Sequence, residues 1–209
     1  MRNDDVDVIR RRLIQGLLAI PAGTILGCGS ASGSGSASPS SPTSLQPTPA
    51  CDDGDDDPTP AQTEGPYFKP NSPERSSLVE AGLTGTRLTI TGRVLSTSCQ
   101  PIARALLDFW HADDSGNYDN VGFRLRGHQF TDEDGRFTLE TMIPGLYPGR
   151  TRHIHVKAQA PNQSILTTQL YFPGEPRNTS DSLYMPALQM NVQQGAGGSA
   201  ATFDFVLRT

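Results

Sequence analysis

Ala105-Leu-Leu-Asp-Phe-Trp110 and His153-Ile-His-Val-Lys-Ala158 are the two stretches whose reading decides the fold. Successive side chains on a strand point to opposite faces. The first stretch therefore sets Leu106, Asp108 and Trp110 against Leu107 and Phe109. The second sets His153 and His155 on one face and Ile154 and Val156 on the other, with the aliphatic pair turned toward a core. Working outward, Leu88-Thr-Ile-Thr-Gly-Arg-Val-Leu95 alternates apolar and polar residues until Gly92, which reads as a half-buried strand with a bulge at the glycine. Phe130 to Leu139 reads as a hairpin around Asp134-Gly135. Thr167 to Phe172 and Thr202 to Leu207 are two further strands. Beyond residue 60 no helical period is visible apart from a turn at 76–81. Short strands separated by turn signals every ~8–12 residues predict an all-β chain, an antiparallel β-sandwich with long loops.

The chain has 209 residues, 35% hydrophobic and 19% charged, with 21 Gly and 17 Pro. The low apolar fraction has a visible source, because residues 29–60 hold almost nothing that could form a core. Residues 61–209 make the domain, long enough to bury one. A net charge of −5 and a pI near 5.3 argue against nucleic acid as a partner, since phosphate neutralisation needs a basic face.

Residues 1–28 read as an export signal. Arg10, Arg11 and Arg12 precede an interrupted apolar run from Leu13 to Leu26, too short to span a membrane. Arg10-Arg11-x-Leu13-Ile14 is similar to a twin-arginine signal. Ile25-Leu-Gly-Cys28 is similar to a lipobox, which predicts a lipid anchor at Cys28 and a periplasmic or cell-surface location on a membrane. Residues 29–60 read as a flexible Ser/Gly/Pro linker ending in an acidic cluster, Asp52 to Asp57. With Cys28 assigned to the anchor, Cys51 and Cys99 remain. Two cysteines in an exported chain are expected to pair, with two free thiols as the alternative.

Three anchors carry chemistry. His153-x-His155 can present two imidazoles to one metal. Pro144-Gly-Leu-Tyr-Pro-Gly-Arg150 is a bent, rigid loop with Tyr147 at its centre. Trp110-His-Ala-Asp-Asp-Ser-Gly-Asn-Tyr118 puts a second tyrosine beyond a tight turn. Singly, each has a structural explanation. In order, with Asp132-x-x-Gly-x-Phe137 between them and Thr63-Glu-Gly-Pro-Tyr67 upstream, the set resembles the intradiol dioxygenases, the protocatechuate and catechol dioxygenase family.

The resemblance implies a β-sandwich whose long loops form a metal site for one non-haem Fe(III) per chain, with Tyr118, Tyr147, His153 and His155 as ligands. Tyr147 takes the axial role that is vacated on substrate binding. Which histidine takes which coordination position stays open. Arg150 is implied to stabilise charge on substrate, and Gln169 to stand near the oxygen pocket. The substrates implied are a catechol-like aromatic and O2, giving a muconate-type dicarboxylate. Phenolates are hard anionic donors suited to Fe(III), and a trivalent cation would keep them deprotonated although a free tyrosine titrates near ~10. A hydroxide and Tyr147, once displaced, can accept the two catechol protons, so no separate general base is needed.

Tyr147 and His153 stand only six positions apart. Dedicated catabolic members carry a longer insertion there, and catechol dioxygenases also have a helical N-terminal region for dimerisation. These differences imply a more open site and leave the substrate's substituents and the oligomeric state open. Two other readings compete: a non-catalytic β-sandwich binding module, and a zinc hydrolase on His153 and His155. His111 and His128 read as structural or exposed.

Overall fold

The computed structural model describes residues 57–209. The expected export signal, Cys28, Cys51 and the expected linker as far as residue 56 lie outside the described residues. The linker's expected end does not: Thr59 is buried and exchanges hydrogen bonds with Val206, and Pro60 accepts one from Thr168. Residues 59 and 60 thus join the domain, because their backbone groups find partners on β9 and β6.

Among the described residues nine strands form two packed sheets: β1 (Arg87–Ser96), β2 (Leu106–Trp110), β3 (Arg126–Phe130), β4 (Arg136–Met142), β5 (His153–Gln159), β6 (Leu166–Tyr171), β7 (Asn191–Gly195), β8 (Gly198–Thr202) and β9 (Phe205–Leu207). One sheet runs β4-β1-β8-β7 with β9 also on β1, and the other runs β3-β2-β5-β6. Two single-turn 3-10 helices, Pro176–Thr179 and Pro186–Leu188, lie between β6 and β7. The core fills the space between the sheets with the residues that alternation placed there: Leu107 and Phe109 of β2, Ile154 and Val156 of β5, Leu88 and Ile90 of β1, Phe137 and Leu139 of β4. Each fully buried aliphatic side chain contributes about 1.5–3 kcal/mol.

The architecture is the expected sandwich, with departures in detail. Phe130 and Leu139 do not belong to a hairpin, since β3 and β4 lie in different sheets. The turn itself is present: the Asp132 carboxylate accepts the Asp134 and Arg136 amides, and the Gly135 amide donates to the Asp132 carbonyl. It carries the chain across the sandwich, because a turn signal specifies a reversal and not which sheet receives the next strand. Gly92 is not a bulge, for the β1–β4 register runs through it unbroken. The glycine instead makes room where β1 changes its parallel partner from β8 to β9. A Cβ there would stand 1.8 Å from the Phe203 carbonyl oxygen. That changeover also splits the expected Thr202–Leu207 strand, and it makes the sheet mixed through the parallel β1–β8 and β1–β9 pairs.

Candidate metal centre

Strand β5 lies between β2 and β6, and its register decides what surrounds the histidines. His155 is paired with Trp110 on one side and Gln169 on the other; His153 is paired with Tyr171. The Trp110 indole stacks on the His155 ring with centroids 4.8 Å apart and planes 7° from parallel. Both histidines are buried, while Ile154 and Val156 anchor the same strand in the core. The outer face is covered by the start of the domain. Gln62 donates its amide to Thr167, the Gln169 side chain donates to the Thr63 carbonyl, and Gly65 passes close to the His155 ring.

The two tyrosine loops interlock. Asp113 folds the first by accepting the amides of Ser115 and Asn117 on one carboxylate oxygen, and its carbonyl accepts the Gly145 amide of the second. Gly116 takes a positive φ of 85°. A Cβ on Gly116 would lie 2.5 Å from the Leu146 carbonyl oxygen, and one on Gly145 would lie 2.4 Å from that of Asp114. Only glycine at both positions allows this approach, so Tyr118 and Tyr147 are positioned as a pair.

The result is a convergence of donors. The Tyr118 hydroxyl stands 3.3 Å from His153 Nε2 and 3.1 Å from His155 Nε2. His153 Nδ1 lies 2.7 Å from the Thr151 carbonyl, which can only accept, so Nδ1 carries the proton and Nε2 keeps its lone pair. Tyr147 stands beside this group, its ring 5.8 Å from that of Tyr118 and its hydroxyl 2.9 Å from the Tyr67 hydroxyl. Tyr67 stacks on Tyr118 at 4.5 Å. Burial lowers His153 to about 4 and His155 well below its usual value, so both are neutral ligand nitrogens at ordinary pH. Burial also pushes the Tyr118 hydroxyl upward. The pocket therefore offers neutral nitrogens and a phenol that ionises readily only beside a cation. Among the described residues no three His, Cys, Asp or Glu side chains cluster so as to hold a metal. The donor set thus depends on phenols, which suits a hard trivalent ion better than zinc.

Arg150 and Gln169 are brought together on one flank. Arg150 Nη2 donates to Gln169 Oε1 at 2.7 Å, and its Nε donates to Asp181 at 2.8 Å. The Tyr171 hydroxyl lies 3.1 Å from Gln169 Oε1, with its proton directed to the nearer Leu183 carbonyl, and burial pushes that hydroxyl up to about 12. His111 is structural, buried between the Ala112 carbonyl and the Thr141 hydroxyl; His128 is held by Ser72. Tyr67 and Asp181 received no role from sequence. Tyr67 lay within a motif read only as a resemblance. Asp181 carries no local signal for the site, because its contacts there, with Arg150 and Thr151, span 31 and 30 positions.

A two-sheet sandwich that turns two histidines of one strand and two loop tyrosines to a single spot has the build of a ring-opening dioxygenase. Residues 63–209 match the dioxygenase family. The dioxygenase domain of a dioxygenase–carbohydrate-binding protein fusion from the cellulolytic bacterium Streptomyces sp. SirexAA-E is 63% identical, with a TM-score of 0.72 over 73% of this chain and 99% of that one. An intradiol ring-cleavage dioxygenase from Tetranychus urticae is 25% identical, with a TM-score of 0.67 over 73% and 94%. Chlorocatechol 1,2-dioxygenase of Rhodococcus opacus is 29% identical over 187 residues, 72% of each chain. The chain spans about half the length of the catechol 1,2-dioxygenase of Candida albicans and the hydroxyquinol 1,2-dioxygenase of Rhizobium sp., 49% and 50%. The chain belongs to the intradiol ring-cleavage dioxygenase family.

Proposed function

We propose that the domain cleaves a catechol-type diol between its two hydroxylated carbons, placing both atoms of O2 in a muconate-type dicarboxylate. One non-haem Fe(III) would be held by Tyr118, Tyr147, His153 and His155. The observation that carries this is the approach of both Nε2 atoms to the Tyr118 hydroxyl within 3.3 Å, with Tyr147 alongside. When bound, the ferric ion supplies charge neutralisation of the catecholate and withdraws electron density from its ring.

The remaining chemistry belongs to the chain's own residues. Tyr147 takes one catechol proton, and the Tyr67 hydroxyl at 2.9 Å offers it a hydrogen bond in either protonation state. The Arg150 guanidinium, with Nη1 not hydrogen-bonded among the described residues, can meet negative charge on a diol oxygen. Gln169 accepts Arg150 on Oε1 and donates its Nε2 to Thr63, so it acts as a brace on Arg150. Trp110 covers one face of His155 and excludes water from it. Catechol, chlorocatechol and hydroxyquinol are named for relatives, which supports an aromatic 1,2-diol as the substrate class here. The experiment is oxygen uptake with catechol, using labelled O2 and mass analysis of the product. One O2 consumed per ring, with both labelled atoms in a dicarboxylate, is expected; a quinone, or a product without label, would contradict the proposal.

We also propose that the protein is exported and anchored through an acylated Cys28, at the periplasmic or cell surface, and that Cys51 pairs with Cys99. The sequence pattern supports both, since Cys28 ends a lipobox-like run and Cys51 and Cys99 are the two cysteines left in a chain with an export-like start.

A further inference from the structure

Asp181 lies at the end of the first 3-10 turn, outside every motif of the metal centre, yet its side chain is only 3% exposed. One carboxylate oxygen accepts two hydrogen bonds at 2.8 Å, from Arg150 Nε and from the Thr151 amide. The other accepts the Leu183 amide at 3.0 Å. The Leu183 carbonyl in turn accepts the Tyr171 hydroxyl at 2.6 Å. The carboxylate is thus fixed by backbone on both oxygens before it meets the guanidinium. Burial alone would raise its carboxyl. The Leu183 and Thr151 amides and the Arg150 charge outweigh that and hold it below the usual range, so it stays ionised.

We propose that Asp181 is the positioning residue for Arg150. A guanidinium is a planar fork. Gripping Nε by Asp181 and Nη2 by Gln169 fixes the plane and leaves Nη1 without a hydrogen bond among the described residues. Without the ion pair, Arg150 would keep its charge but lose the orientation that aims Nη1 at a diol oxygen. This role rests on the dioxygenase function proposed above.

The test uses the iron-loaded full chain with catechol as the probe, comparing Asp181→Asn, Arg150→Ala and the double variant. Asp181→Asn preserves size and removes the charge. It is expected to keep the ferric colour and lower kcat/KM about tenfold, the scale of one lost orienting interaction. In the Arg150→Ala background the same change should cost less than about twofold, because its effect passes through Arg150. Wild-type rates in Asp181→Asn, fully multiplicative losses in the double variant, or loss of colour in Asp181→Asn would each overturn the proposal. If Asp181→Asn does not fold, Arg150→Lys decides: it keeps the charge but not the fork, and turnover like the wild type would overturn the proposal. A colourless, inactive wild-type protein would instead overturn the underlying function.

Discussion

Burial raises the Tyr118 hydroxyl, while the charges of Arg150 and Arg126 pull it down without cancelling that rise. The phenolate therefore depends on a cation next to it, and cation and phenolate should be gained or lost together. Tyr118→Phe is expected to lose most bound iron and its colour, measured by metal analysis and absorbance. Tyr147→Phe should retain iron and cleave catechol more slowly, since Tyr118, whose hydroxyl stands within 3.3 Å of both histidine Nε2 atoms, is kept; equal iron loss in both variants would contradict the distinction. The buried histidines give a second prediction. His111 and His153 are lowered to about 4, and His155 is lowered well below its ordinary value, against about 6.5 in the unfolded chain. As pH falls through that interval the unfolded chain takes up protons that the folded one refuses, so the iron-free protein should lose stability steadily from about pH 6.5 to about pH 4. A urea midpoint that stays level across this range would show that these histidines are not buried neutral.

At the scale of elements, the site depends on two close contacts. Gly145→Ala places a Cβ within 2.4 Å of the Asp114 carbonyl oxygen and 2.5 Å of the Gly116 amide nitrogen. Backbone cannot yield as a side chain can, so we expect a loss of about 1–3 kcal/mol and a loosening of both tyrosines. Denaturant titration and the iron content should fall together; an unchanged protein would mean the loops do not interlock. Ile154→Ala, behind the two histidines and fully buried, should cost about 2–5 kcal/mol. Strands β2 and β5 were legible because period-two alternation separates a core face from a site face within a few residues. β7, Asn191-Val-Gln-Gln-Gly195, was not: it is almost wholly exposed and carries no apolar alternation. The Asp134-Gly135 turn was legible, but not its destination, because strand pairing is settled by distant partners.

For the whole molecule the same division holds. His153-x-His155, Tyr118 and Tyr147 could be found in sequence because local motifs present them. The Tyr67 contact with Tyr147 spans 80 positions, and that of Asp181 with Arg150 spans 31. No local pattern encodes either, so only the folded register brings them to the site. The disulfide proposed for Cys51 and Cys99 is likewise a long-range restraint on the unfolded chain. Reduction is expected to cost about 3–4 kcal/mol and lower the melting temperature, with no comparable shift in a Cys99→Ser variant. An equal shift in both would assign the effect elsewhere.

The central claim, a ferric ion held by histidines and tyrosinates with a position open to a diol, is tested most directly by the visible spectrum of the iron-loaded protein before and after adding catechol. The account predicts a wine-red tyrosinate-to-Fe(III) charge-transfer band that shifts when catechol binds. A protein that stays colourless after iron loading under oxidising conditions would contradict it, leaving the β-sandwich as a scaffold without this chemistry.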